Sequence, residues 1–312
     1  MDQTSDRAFP APVHSLLRHF RAQRPLRGGS LLVTIFGDAI APRGGAVTLG
    51  SLIELATPFG LTERLVRTSV ARLAREGWLT AERSGRRSEY RLSPQGAERF
   101  AEATQRIYGT IQPDWDGRWT LLLLPSGRGR PVRLRAELRW LGFGQLSSTV
   151  FAHPGASPQD ARAWLQNLPG TAGALLLTSS ADAHSDQQLA AAGWDLAELG
   201  RRYRRFLRRF EPLAAVMTRL DGERAFLVRT LLIHEYRKVH LQDPLLPVGL
   251  LPADWVGTRA YELSRRVYSE LLPPSETYLS RTAQRLSGPL PAADRGVYAR
   301  FGGVAEPARH VR

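Results

Sequence analysis

Residues 62–77 read Thr-Glu-Arg-Leu-Val-Arg-Thr-Ser-Val-Ala-Arg-Leu-Ala-Arg-Glu-Gly, and the fold turns on them. Thr62 carries an oxygen able to cap a helix start, Glu63 suits the positive end of the helix dipole, and Gly77 suits the residue just past a helix. Between them Val66, Val70 and Leu73, with Leu65 beside them, follow the i, i+4, i+7 spacing of a buried stripe. Arg64, Arg67, Thr68 and Arg72 fall away from that stripe, toward solvent. Beyond Gly77, residues 79–82 and 88–92 alternate as short strands. They flank Arg83-Ser84-Gly85-Arg86-Arg87, a glycine turn with three arginines.

Upstream, residues 30–36 open a helix with Ser30 as its cap, ending before Pro42 and Gly44. A short second helix covers residues 51–56 and stops near Pro58 and Gly60. Downstream, Ser93-Pro94-Gln95-Gly96 places Ser at the cap and Pro at the first helical position, starting a closing helix to about Ile107. Three helices, a hairpin and a helix make a winged helix-turn-helix. In that architecture the third helix enters the major groove and the hairpin touches the adjacent backbone or minor groove. Guanidinium groups suit guanine edges and phosphates. The expected DNA-binding set is Arg64, Arg67, Thr68, Ser69 and Arg72 on the helix and Arg83, Arg86 and Arg87 on the wing. The alternative is a winged helix that serves as an architectural or protein-contact module.

The chain has 312 residues, about two or three domains' worth, and its 43% hydrophobic and 23% charged content excludes global disorder. Net charge is +14, carried by 42 arginines and a single lysine, Lys238. Residues 1–109 hold +6, residues 110–200 hold −1, and residues 201–312 hold +9. Two basic ends around a neutral middle point to modules with different tasks and to an anionic partner. There is no cysteine, so disulfides and thiolate chemistry are excluded. No signal-peptide pattern and no run of about 18 apolar residues is visible, so the expected place is the cytoplasm, at the bacterial nucleoid, with no membrane partner.

In the middle, residues 118–124, 145–151 and 173–178 read as strands, with helices over 132–141 and from Ser157 to about Leu168. This β-α-β-α-β order predicts a small ferredoxin-like layer. Gly127-Arg128-Gly129-Arg130 lacks the Lys-Ser/Thr of a P-loop and reads as a turn. From Trp194 onward helices dominate. Tyr203, Phe206, Leu207 and Phe210 share one face of a helix whose other positions carry six arginines, Arg201, Arg202, Arg204, Arg205, Arg208 and Arg209. A second helix spans 224–240. His234-Glu235 opens like a zinc-protease helix, but the i+4 position is Lys238, so the metal reading fails and the histidine is expected to be hydrogen-bonded. The proline-rich segment from Gln242 to Trp255 makes a rigid connector, followed by a helix from Gly257 to about Leu272. No catalytic motif, carboxylate pair or ligand-spaced cluster stands out, and no cofactor, metal or enzyme activity is expected.

These residues carry a resemblance. Residues 30–38, residues 67–79, and the run from Leu232-Ile233-His234-Glu235-Tyr236-Arg237 through Asp243-Pro244-Leu245-Leu246-Pro247 to Leu250-Leu251-Pro252-Ala253-Asp254-Trp255 resemble the PaaX-type repressors of phenylacetic acid catabolism. The likeness extends from about Ser30 to about Leu279. It implies an α+β chain: an N-terminal winged helix, a central domain resembling the Cas2 fold, and a C-terminal helical domain. It also implies a homodimer that represses operons on double-stranded operator DNA until phenylacetyl-CoA releases it. Cas2 nucleases are expected to hold an acid at the end of the first strand. Here that strand ends Leu124-Pro125-Ser126, which implies a structural or dimerising centre. A CoA thioester needs cations near a hydrophobic slot, so Arg201, Arg204, Arg205, Arg208, His234, Arg237, Lys238 and Trp255 are the effector candidates; another acyl-CoA or a free aromatic acid is the alternative ligand. The expected boundaries are a tail over 1–27, the winged helix over 28–109, the central domain over 110–193, the effector domain over 194–286 and a tail over 287–312.

Overall fold

The computed structural model describes residues 9–24, 28–109, 115–125, 133–166 and 168–303. The chain is mixed α/β with antiparallel sheets, and it divides into two compact units. One comprises Met1–Thr110, Arg205–Lys238 and Arg259–Arg312; the other comprises Ile111–Arg204 and Val239–Thr258. The helical segment from residue 194 onward contributes residues to both units.

The first unit begins with α1 (Ala11–Arg21) and α2 (Gly28–Ile35). The described part of the expected N-terminal tail is packed: α1 buries Val13, Leu16, Leu17 and Phe20, and the Phe20 ring sits edge-on to Phe59. Ser30 is not a cap: α2 already starts at Gly28, so Ser30 lies inside its first turn. The helix continues through a wider π turn at Phe36–Ile40, which carries the buried Asp38. Then follow β1 (Ala46–Thr48), α3 (Leu49–Ala56) and α4 (Glu63–Arg75). The hairpin is β2 (Leu79–Ser84) and β3 (Arg87–Leu92), and α5 (Pro94–Tyr108) closes the segment. The helices and hairpin lie where the spacing predicts them. The strand β1 is additional; it pairs antiparallel with β3 to give the order β1-β3-β2. The caps are formed as read: Thr62 accepts from the Leu65 N–H at 3.3 Å and Ser93 from the Gly96 N–H at 2.9 Å.

The second unit holds β4 (Arg118–Leu123), α6 (Leu134–Trp140), β5 (Gly144–Gln145), β6 (Val150–Pro154), α7 (Pro158–Leu165), β7 (Leu175–Ser180) and α8 (Ala183–Gly193). The expected strand over 145–151 is two strands, because residues 146–149 bend between β5 and β6. The sheet is antiparallel, ordered β5-β6-β4-β7. Period-two alternation in β4 explains its burial on both faces: Leu122 and Leu124 join Leu134, Leu138 and Phe151, while Trp119 joins Ala152, Ala190 and Trp194. The loop Gly127-Arg128-Gly129-Arg130 lies outside the described residues.

Three long helices follow: α9 (Leu196–Phe210), α10 (Gly222–His240) and α11 (Gly257–Thr282). The stripe Tyr203, Phe206, Leu207, Phe210 is buried along α9 as its spacing predicts. The last helix does not stop at Leu272 but runs on through Pro273 and Pro274. Burial of Leu271, Leu272 and Leu279 holds it together across the two missing N–H donors. After it, β8 (Gln284–Arg285) and β9 (Gly288–Pro289) form a small ribbon, and Leu290, Val297, Arg300 and Phe301 are buried. The described part of 287–312 is therefore packed rather than a loose tail.

Candidate nucleic-acid interface and ligand cleft

Helix α4 buries Val66, Ser69, Val70 and Leu73 and turns its other face to solvent. Arg64, Arg67, Thr68 and Arg72 are exposed on that face. Ser69 is the exception among the predicted residues. It is buried on the side facing α2, where its Cβ lies near Gly29, so it is removed from the reading face. The Thr68 hydroxyl is committed to its own helix, donating to the Arg64 and Leu65 carbonyls at 2.9 and 3.1 Å. Arg67 pairs with Glu63 one turn back at 2.6 Å, and Arg72 lies 3.8 Å from Glu76. Both pairs are solvent-exposed and worth at most about 1 kcal/mol, so a phosphate can replace either carboxylate. Ser84 pairs with Arg87 across the hairpin, leaving Gly85 and Arg86 as a two-residue loop. Gly85 has φ 58° and Arg86 does not have positive φ, the pattern of a tight hairpin turn with glycine first. Arg83, Arg86 and Arg87 are all exposed around this tip.

The effector candidates separate. His234 and Arg237 on α10 are interior and face α2. The Thr34 hydroxyl lies 3.0 Å from His234 Nδ1 and accepts from Arg237 Nε at 2.8 Å. Arg237 also donates to the Ser30 carbonyl at 2.7 Å and to its hydroxyl at 2.9 Å. Burial pulls the Arg237 guanidinium below its ordinary range. Both residues therefore tie α10 to α2 and are corrected from ligand candidates to packing residues. Lys238 donates to Glu235 at 2.7 Å in the same unit. Arg205 and Arg208 are exposed, also in the first unit. Arg201, Arg204 and Trp255 alone converge: with Trp194, Gly200, Pro252 and Asp254 they line one cleft of about 610 Å³ in the second unit. Among the described residues, no group of His, Asp or Glu is arranged to hold a metal ion.

A second constellation was not read from sequence. The Asp38 carboxylate accepts from Tyr108 at 2.8 Å, Tyr268 at 3.0 Å, Arg229 at 2.9 Å and Arg300 at 2.9 Å. Burial by itself would raise this carboxyl, but Arg229 and Arg300, with the Tyr108 and Arg229 hydrogen bonds, hold it below the usual carboxylate range. Glu276 receives Arg229 at 2.9 Å and also pairs with the buried Arg43. Burial, with Arg229 nearby, pulls Arg43 down to about 10. The partners of Asp38 are 70 to 262 positions away in sequence, beyond the reach of any spacing rule.

Three family models match in chain order: "PaaX-like protein" over residues 27–96, "PaaX protein central Cas2-like domain" over 112–191, and "PaaX-like protein C-terminal domain" over 194–281. A curated relative, the transcriptional repressor PaaX of Escherichia coli strain K12, is 37% identical over 306 residues, spanning 94% of this chain and 95% of its own. A solved structure, the uncharacterized protein Rv0674 from Mycobacterium tuberculosis, is similar with a TM-score of 0.49 and 27% identity, over 73% of this chain and 89% of that one. The class is thereby defined: a transcriptional repressor with a Cas2-like centre, a regulator and not an enzyme. More particularly, the chain belongs to the PaaX family.

Proposed function

We propose that this repressor acts by binding operator DNA through a winged helix-turn-helix, with α4 in the major groove and the β2–β3 wing on the flanking backbone. The observation that carries the reading is the one-sided layout of α4, apolar residues inward and Arg64, Arg67 and Arg72 outward, with three more arginines at the hairpin tip. Phosphates attract all six, and α4 arginines in the groove can pair with guanine edges. The operons would be those of phenylacetate catabolism, and the cytoplasmic nucleoid the place of action.

The repressor is proposed to bind as a homodimer on a pseudo-palindromic site. Its pairing surface would be β7, the edge strand among the described residues, where Leu175 is 61% and Leu177 47% exposed, because an apolar edge invites a second strand. An acyl-CoA effector such as phenylacetyl-CoA would release it by preferring the conformation that does not bind DNA. A preference of about 10⁴-fold swings a 1:99 population to 99:1.

The test is fluorescence polarisation on the protein's own upstream DNA, with and without phenylacetyl-CoA, against an unrelated duplex. Tight, sequence-selective binding that the thioester releases is expected. Equal affinity for both duplexes would refute the operator reading. Selective binding that ignores the thioester would refute the effector assignment alone.

A further inference from the structure

The cleft beside α9 has features that DNA binding does not require. Trp194 and Trp255 are among its lining residues, and Pro252 stiffens the segment that carries Trp255. The Trp255 ring is held edge-on by Tyr203, 5.8 Å away, and Tyr203 is itself anchored by donating to Asp243 at 2.7 Å. Among the described residues, the buried indole N–H of Trp194 has no hydrogen-bond partner. Gly200 also lines the cleft, in the interior of α9, where helix propensity favours alanine. No left-handed angle requires a glycine there, and an added Cβ would meet only Arg204 at 3.6 Å and Trp255 at 4.0 Å, ordinary van der Waals distances. Gly200 thus costs helix stability and leaves the floor of the cleft open.

The cations at this cleft are already answered by carboxylates. Arg201 donates to Glu198 at 2.9 Å, and Arg204 pairs with Asp254. A third acid, Asp195, is committed elsewhere, accepting from the Glu198 N–H at 2.9 Å at the start of α9. Asp254 is 75% exposed and Arg204 42% exposed, so their pair is an exposed one that contributes little and exchanges readily. A carboxylate resting on a guanidinium in a cleft that Trp255 also lines occupies the place of an anionic group joined to a flat apolar one.

We propose that this cleft binds an anion bearing a planar apolar group, and that Asp254 is its built-in competitor. The ligand's anion takes Arg204 from Asp254, with Arg201 as second cation, while its apolar part lies against Trp255 over Gly200. The proposal rests on the ligand-responsive reading above and assigns it a site. The anion is a phosphate if the ligand is a CoA thioester and a carboxylate if it is a free aromatic acid.

Isothermal titration of the full-length protein with phenylacetyl-CoA, free CoA and phenylacetate distinguishes these sources, with operator binding measured in parallel without ligand. Asp254→Asn, a change at an exposed side chain, should bind the ligand several-fold more tightly, since the competitor and a like charge are gone. Arg204→Gln should weaken it by about tenfold, the loss of one charge-assisted hydrogen bond. Gly200→Leu should abolish binding. Gly200→Ala should weaken it while leaving the thermal midpoint unchanged or higher, which separates blocking from misfolding. Operator affinity of every variant should match the parent. Ligand binding that all four variants leave unchanged, or that Asp254→Asn weakens, would overturn the cleft while sparing the effector reading. Failure of the parent to bind any of the three probes would overturn both.

Discussion

At the residue scale, charge on a helix face and charge in the interior play different parts. Arg67 is exposed and pairs with the exposed Glu63, so its removal should leave the fold intact. Arg67→Ala is expected to cost about 1–3 kcal/mol of operator affinity with an unchanged thermal midpoint, read by polarisation and by thermal unfolding. Ser69→Ala, by contrast, should leave operator affinity alone, because the side chain is buried against α2. Asp38 is the opposite case, a carboxylate answered by two arginines and two tyrosines in the interior. Removing it strands buried cations, so Asp38→Asn should destabilise by about 3–5 kcal/mol in urea unfolding. The sign with pH follows from its lowered pKa. A carboxyl held below its unfolded value stabilises above about pH 4 and loses that contribution as pH falls through the folded value. Stability of the parent should therefore fall more steeply with acid than that of Asp38→Asn.

At the element scale, the hairpin and the edge strand are both exposed but carry different chemistry. The β2–β3 tip presents arginines and nothing apolar. Replacing Arg83, Arg86 and Arg87 together with alanine should flatten the log–log dependence of operator affinity on salt, by about 0.9 for each phosphate no longer neutralised. Sequence preference should change little, since backbone contacts position rather than specify. Strand β7 presents Leu175 and Leu177. Leu177→Arg puts like charges across a two-fold edge pairing, and sedimentation should then report monomers where the parent gives dimers. A dimer unaffected by this change would move the interface elsewhere.

At the scale of the whole molecule, the segment proposed to face DNA does not stand alone. Its Asp38 accepts from Arg229, Tyr268 and Arg300, the Arg300 guanidinium lies over the Tyr108 ring 4.2 Å away, and its Phe59 ring packs on Phe226 6.0 Å away. Thr34 and Ser30 hold Arg237. A fragment of residues 28–109 would expose these partners together with the apolar side of α2. It should lack the near-ultraviolet circular dichroism and dispersed amide resonances of a packed domain. A well-dispersed spectrum from that fragment would show that the C-terminal helices are dispensable for its folding. Among the described residues, no helix is long and apolar enough to cross a membrane.

Local chemistry was legible in the sequence wherever neighbouring residues decide the outcome. The cap at Thr62, the cap and proline at Ser93-Pro94, the stripe of α4, the stripe of α9 and the glycine turn at Gly85 all formed where spacing put them. These depend on backbone hydrogen bonds and periodicities of a few residues. Family membership was legible too, because the irregular run ending in Asp254-Trp255 is hard to match by chance. Tertiary structure alone decided the rest. It buried Ser69, turned His234 and Arg237 from ligand candidates into ties between helices, carried α11 through two prolines, and gathered four distant side chains on Asp38. It also brought Asp254 and Trp255 to Gly200 and Arg204. Each of these outcomes depends on which surfaces meet after the chain has folded back on itself. That choice is made by burial and by the need to satisfy buried polar groups, and sequence separation does not record it.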